Sequence, residues 1–188
     1  MNFEIIETRR LLLKGLSPAD MKAIFENHTK PDIKRLLGHR SEEDFLKEEN
    51  KHKNGYSSYN RSFMLFLVTD KASGSIIGRC GLHNWNIEHR RAEIGYAIEE
   101  ERFKRKGLMT EAVSTIIDYG FSKMNLNRIE ALVGIGNTPS LKLMTKYKFK
   151  KEGILRQHYN TCNTYEDSVL FSILYNEYIN EENETRNR

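Results

Sequence analysis

Apolar positions along this chain change their period several times, and those changes mark out its elements. Residues 9–15 (RRLLLKG) alternate weakly and read as a first strand. Ser17-Pro18-Ala19-Asp20 sets a capping serine ahead of a proline at the first helical position, so a helix runs from there to about Asn27. A second helix starts near Ser41, where Ser41 and Asp44 form an N-terminal cap, and ends before Asn54-Gly55. Residues 62–70 (SFMLFLVTD) make a strongly apolar strand, 71–74 a turn, and 75–85 its hairpin partner. Residues 91–98 form the next strand. The spacing of Leu108, Met109, Ala112, Val113, Ile116 and Ile117 then predicts a long helix to about Asn125. Residues 128–134 are a further strand, and Pro139 opens a short helix to about Lys146. Strands over 154–159 and 168–175 close the chain around the turn-like residues 160–163. The polar residues 180–188 are expected to fray, which leaves one domain over 1–179. With neither repeats nor a linker, a mixed sheet with helices on its faces is the economical α/β (α+β) architecture.

Between the strand at 91–98 and the following helix lies a basic loop, Lys104-Arg105-Lys106-Gly107. A helix start carries unpaired N–H groups and a partial positive charge, and a glycine there lets an anion approach the amides. The segment reads as a phosphate cradle, although the chain has neither GxxxxGK[ST] nor GxGxxG after a strand. A solvated basic loop ahead of an ordinary amphipathic helix fits the same residues.

Strand parity adds a second clue. Ala92, Ile94, Tyr96 and Ile98 share one face of their strand, and Glu93, Gly95 and Ala97 the other. Gly81, His83 and Trp85 share a face of the preceding strand, so pairing of the two strands places Glu93 and His83 in one pocket. The alternative is that Gly95 and Ala97 admit a close-packed helix while Glu93 pairs with Arg91.

Composition narrows the class. Across 188 residues, 38% are hydrophobic and 30% charged, as in a water-soluble globular domain, and no apolar run approaches the roughly 18 residues that cross a membrane. The N-terminus, with Glu4 and Glu7, does not resemble a secretory signal. Cys80 and Cys162 form neither a CxxC nor a metal-type cluster, so no disulfide framework and no metal is expected. A cytoplasmic location follows as an expectation. The net charge of +4 permits acidic partners, but acids and bases are mixed and no basic stripe points to direct nucleic-acid binding.

Several motifs in order, RAEIGYAI, KRKGLMTEA, LNRIEALVGIGNTPS and FKKEGILRQ followed by YEDSVLFS, resemble the GCN5-related N-acetyltransferase (GNAT) superfamily over nearly the whole chain. They are most similar to its branch of ribosomal-protein N-terminal acetyltransferases. The resemblance implies a mixed, mostly antiparallel sheet splayed between the fourth and fifth strands, with acetyl-CoA in the wedge. It implies cofactor contacts from Ile98, Lys104, Arg105, Lys106, Gly107, Leu108, Met109 and Thr110, and from Asn137 beside the pantetheine arm. Against the family pattern Gln/Arg-x-x-Gly-x-Gly/Ala, this chain has Lys104, Gly107 and Met109, and the bulk of Met109 would crowd the loop. Ser140 falls near the thioester sulfur by the same likeness, though Asn137 to Ser140 is also ordinary helix-entry chemistry.

Acetyl transfer to an amine needs a base for the amine, donors for the developing oxyanion and little help for the thiolate. Glu93 is the first candidate base and His83 the second, with Ser140 a weak donor to sulfur. Relatives place a tyrosine acid five residues before the phenylalanine of a Gly-Phe pair. Here that position is Met144, the pair is Lys148-Phe149, and Tyr147 lies out of phase. Glu42, Glu43, Asp44, Glu48 and Glu49 fall in the acceptor region, with Trp85 and Phe45 as expected pocket walls. Such acids suit a cationic protein terminus, a polyamine or an aminoglycoside, and equally a solvated helix face. The leading reading is acetyl transfer to the N-terminal amine of a ribosomal or other protein, with ribosome association and a monomer or homodimer both compatible. The rivals are a small-molecule amine acetyltransferase and a non-catalytic acyl-CoA-binding module.

Overall fold

The computed structural model describes residues 3–56, 61–161 and 163–186, with side chains up to residue 180. Cys162 lies outside the described residues, and Cys80 is buried with a free thiol. The elements are β1 (Ile5–Glu7), β2 (Leu11–Leu16), α1 (Pro18–Asn27), α2 (Lys30–Leu37) and α3 (Glu42–Asn54). There follow β3 (Ser62–Asp70), β4 (Ser75–Asn86), β5 (Arg91–Ile98), a short 3-10 turn (Glu101–Phe103) and α4 (Leu108–Ser122). The chain closes with β6 (Arg128–Gly134), α5 (Thr138–Lys146), β7 (Lys150–Thr161), β8 (Thr164–Leu174) and α6 (Tyr175–Arg186).

The local chemistry expected at the helix starts is present. Ser17 and Ser41 each cap their helix through reciprocal bonds with Asp20 and Asp44, satisfying amides that no helical carbonyl can reach. Three elements exceed the expectation. β1 adds a short antiparallel edge strand. α2 fills the segment after α1, signalled by Pro31 in its first turn and Gly38 in the left-handed conformation at its end. α6 continues through Arg186, so the backbone expected to fray from about 180 is helical to that point. Its polar pattern carries no apolar stripe, which is why the sequence does not announce it.

The strands form one sheet of eight in the order β1-β2-β3-β4-β5-β6-β8-β7. Every described pairing is antiparallel except β5 with β6. Leu13, Phe66, Val68 and Leu82 meet Ala112, Val113, Ile116 and Ile117 of α4 in the main core. On the opposite face Leu67 and Leu16 pack with Met21, Ile24, Ile33, Leu37 and Phe45 of α1, α2 and α3. The two-residue alternation of β3, with Phe66 and Val68 to one side and Leu67 to the other, is what allows helices on both faces.

The feature that positions the site is the β5–β6 junction. Parallel pairing runs only through Arg91↔Arg128, Ala92↔Ile129 and Glu93↔Glu130. Beyond Glu93, β5 keeps its bonds to β4 and β6 keeps its bonds to β8, but the two part from each other. Counting from β2, this is the splay between fourth and fifth strands that the resemblance implies.

Close strand packing makes one glycine indispensable. A Cβ at Gly78 would sit 2.1 Å from the Ala97 carbonyl oxygen, a backbone atom that cannot move without parting β4 from β5. Gly153 has open space around it. Gly78→Ala should therefore cost more than about 2 kcal/mol of stability, whereas Gly153→Ala should stay within about 0.5 kcal/mol. Chemical denaturation of both variants checks this, and similar midpoints would refute the packing argument.

Candidate active site

The basic loop delivers α4 with its first turn uncapped. Gly107 is the N-cap residue in the left-handed conformation, at φ 73°, and no side chain bonds to the first-turn amides. Arg105 is also left-handed, at φ 59°, a backbone conformation found in anion-binding loops. Behind it, Glu111 accepts bonds from the Thr8 hydroxyl (2.6 Å), the Arg10 amide (2.8 Å) and Arg10 Nε (2.7 Å). Arg10 in turn donates to the Lys106 carbonyl at 2.8 Å. The loop is thus held from the rear and leaves its front to a ligand. This buttress from the β1–β2 turn was not legible in the sequence, because Arg10 and Glu111 are 101 residues apart.

In front of the loop is a cleft of about 520 Å³, lined by Ile98, Lys104, Arg105, Gly107, Leu108, Met109, Thr110, Asn137 and Ser140 among others. Of the nine residues expected to hold the cofactor, only Lys106 is missing from this lining; its carbonyl faces Arg10 instead. Met109 packs against the main core as well as reaching the cleft, so its bulk is largely absorbed. Uncapped amides, flanking cations and an elongated cleft suit a pyrophosphate with an extended arm. Asn137 caps α5 by accepting from the Ser140 amide at 3.2 Å, and the residue lines the cleft. The helix-entry reading of Asn137 holds, and the residue lies where the binding reading needs it.

The cleft leads into the β5–β6 wedge, a cavity of about 210 Å³ lined by His83, Glu93, Tyr96, Asn137, Ser140 and Tyr159. All three expected catalytic residues meet here. His83 and Glu93 are direct cross-strand partners, with His83 Nε2 3.2 Å from Glu93 Oε1. Glu93 Oε2 accepts from Asn84 at 3.0 Å. Arg91 pairs with Glu130 instead, at 3.2 Å, so the arginine alternative for Glu93 does not hold. Gly95 serves the histidine rather than a helix: a Cβ there would lie 2.9 Å from His83 Cε1. The Glu93 side chain is 12% exposed, and that burial pushes its carboxyl up. The bonds from His83 and Asn84 and the nearby charges of His83 and His158 outweigh it, and the net displacement is downward. Glu93 is a carboxylate at neutral pH. A carboxylate only accepts, so the bond between the pair runs from His83 Nε2–H to Glu93.

On the other side of β5, a cavity of about 540 Å³ lies between α3 and the sheet. Its walls include Tyr56, Phe63, Leu65, Leu82 and His83, with Glu48 and Arg79 at one end. Neither expected wall residue is among them. Phe45 is buried in the core beneath α3, because its position faces Phe25 and Met21. Trp85 packs against the main core, because a bulge around Asn84, left-handed at φ 50°, reverses the parity of β4 after His83. The acids of α3 are neutralised locally. Glu48 is held by Arg79 (3.1 Å) and Lys51 (3.4 Å), Glu43 by Lys47 (2.6 Å), Glu49 by Lys53 (2.8 Å), and Glu42 by Lys30 and Lys34. Asp44 is spent on the helix cap.

No metal-holding group of His, Cys, Asp and Glu occurs among the described residues. None of their helices is long and apolar enough to cross a membrane. On α5, Met144 is fully buried, and the Tyr147 hydroxyl donates to the Thr110 carbonyl at 2.5 Å. The position that carries a tyrosine acid in relatives is therefore core in this chain.

A sequence profile described as an acetyltransferase (GNAT) domain matches residues 10–150. The chain is 33% identical over 177 residues to the uncharacterised N-acetyltransferase p20 of Bacillus licheniformis, covering 93% of this chain and 98% of that one. It is 27% identical over 172 residues to a spermidine N(1)-acetyltransferase of Vibrio cholerae, covering 91% and 96%. Its fold superimposes on the ribosomal-protein-S5-alanine acetyltransferase of Vibrio fischeri with a TM-score of 0.65 at 22% identity, covering 93% and 98%. The splayed sheet, the uncapped α4 and these likenesses lead to one conclusion: the chain belongs to the GNAT family of N-acetyltransferases, which use acetyl-CoA as co-substrate.

Proposed function

We propose that this enzyme acetylates the N-terminal amine of a ribosomal or other protein, by direct transfer within a ternary complex. The observation that carries this reading is the acceptor cavity's charge. A polyamine or aminoglycoside needs several unneutralised carboxylates at amine spacing, and every acid of α3 is already matched by a cation or a cap. What remains is an aromatic and aliphatic wall leading to His83, which suits one amine carried on a chain with uncharged first side chains. The motif likeness to ribosomal-protein acetyltransferases supports the same choice. The spermidine enzyme among the relatives keeps the small-amine alternative in the test.

In this reading His83 Nδ1 takes the proton that the attacking amine must lose, and Glu93 fixes the imidazole and offsets the positive charge that it gains. The β5 edge beyond Glu93 offers backbone N–H groups to the developing oxyanion. The amides of Leu108 to Thr110 hold the pyrophosphate, and Asn137 holds the arm. Bound acetyl-CoA supplies an activated acyl group at the mouth of the wedge. Alignment of both substrates contributes as much as any one side chain.

Two experiments bear on this. Acetyl-CoA at about 100 times its dissociation constant should stabilise the protein by roughly 2.7 kcal/mol, and thiol release should then be followed with free N-terminal peptides, blocked peptides, spermidine and an aminoglycoside. Free peptides should have the highest kcat/KM, and a higher value for either small amine would sink the acceptor assignment. In the second, Glu93→Gln should lower kcat/KM by about 10²-fold while leaving the acetyl-CoA thermal shift in place. The depressed carboxyl of Glu93 contributes stability above the ordinary value of 4.5, which is lost as pH falls through its lower folded value. The variant's acid-unfolding curve should therefore lack that component, and identical curves would show that Glu93 is not held as described.

A further inference from the structure

β7 is the outermost strand of the sheet, separated from β5 by β6 and β8. With neighbouring strands about 4.8 Å apart, a straight β7 would lie roughly 14 Å from β5, and the splay adds to that. Yet Tyr159 of β7 lines the wedge together with His83 and Glu93. The reason is a break in the β7–β8 ladder. Leu155 pairs with Ser168 and Tyr159 with Glu166, so residues 156–158 stand opposite Asp167 alone. Such a bulge bends its strand and increases the local twist. Gln157, at its centre, is left-handed at φ 51°, a strained conformation that lasts only where its surroundings hold it. Two side chains of β8 do so. Asp167 accepts from the Gln157 amide at 2.8 Å, and the fully buried Ser168 has its hydroxyl 3.3 Å from His158 Nδ1. The His158 and Tyr159 rings then meet edge to face, with centroids 4.6 Å apart. The Tyr159 phenol is raised by burial and next by the charge of Glu93, in keeping with their shared pocket.

We infer that Asp167 is a positioning residue for the acceptor: through the Gln157 amide it holds the bulge that sets Tyr159 against the wedge. The inference rests on the acetyl-transfer reading. Asp167 itself lines neither the wedge nor the cofactor cleft, so it acts through other residues. Its main chain serves β6, where the Asp167 carbonyl accepts from the Ile135 amide at 3.4 Å, while its side chain serves β7. Substitution of the side chain separates the two tasks. Tyr159 lines the wedge but not the cofactor cleft, so the wall that it forms bears on the incoming amine rather than on the CoA arm. An amine aligned against a displaced wall loses its line of attack on the thioester, and misplacement by about 1 Å is enough to matter. The acid of the YEDSVLFS segment thereby acquires a physical role, since its carboxylate fixes the curl of the hairpin over the site.

The test follows thiol release with a free N-terminal peptide as acceptor. Asp167→Ala should raise the acceptor KM about tenfold, with a smaller change in kcat and with KM and thermal shift for acetyl-CoA unchanged. Asp167→Asn keeps an oxygen that can accept from the Gln157 amide, and should keep the wild-type KM. A readout without turnover is hydrogen exchange at the Gln157 amide, which should be faster in Asp167→Ala than in the wild type or Asp167→Asn. Tyr159→Ala should also raise the acceptor KM, and adding Asp167→Ala to it should bring no further loss, because the two act as one unit. An unchanged acceptor KM in Asp167→Ala overturns the inference, as do additive losses in the double variant. Equal losses in Asp167→Asn and Asp167→Ala would assign the effect to charge, and an Asp167→Ala chain that fails to fold would make the residue structural; either result overturns it too. A wild-type protein that neither binds acetyl-CoA nor releases thiol would instead remove the acetyl-transfer reading beneath it.

Discussion

The constraint on which this structure depends is that β5 and β6 pair for three residues and then separate. Each strand stays bonded on its far side, to β4 and to β8, so the split costs the sheet only the ladder between them. It exposes two strand edges inside a folded domain, and buried backbone N–H and C=O groups must find partners. The starts of α4 and α5 line the cleft beside that opening, so the cleft and the wedge share one defect in the sheet.

Around the opening, charge is arranged to be spent locally. Glu111 anchors Arg10 and thereby the loop before α4, and Glu93 anchors His83. The acids of α3 close on neighbouring lysines and on Arg79. The exposed pairs add little to stability. They leave the cavity between α3 and the sheet with a largely aromatic and aliphatic surface.

Backbone conformation shows the same economy. Arg105 and Lys148 both adopt left-handed backbone, at φ 59° each, where glycine is the unstrained choice. At Arg105 the strained residue sits where the loop borders the cleft. Lys148 ends α5 where the family resemblance expects glycine, and the geometry survives because its amide bonds to the Thr145 carbonyl and that of Phe149 to Met144.

Local signals in the sequence determined every strand but β1, the capped starts of α1 and α3, the glycine entry to α4 and the cross-strand pair His83–Glu93. Each depends on residues within a few positions or on simple two-residue alternation. The family likeness rested on the order of those same segments. Tertiary structure alone decided what parity and composition could not carry. A bulge at Asn84 sent Trp85 to the core, and the packing of three helices beneath the sheet claimed Phe45. Ion pairs from α2 and β4 matched Glu42 and Glu48 of α3, and the departure of β6 from β5 opened the wedge that His83, Glu93 and Ser140 line together. Those outcomes depend on distances between segments far apart in the chain, which no pattern along it encodes.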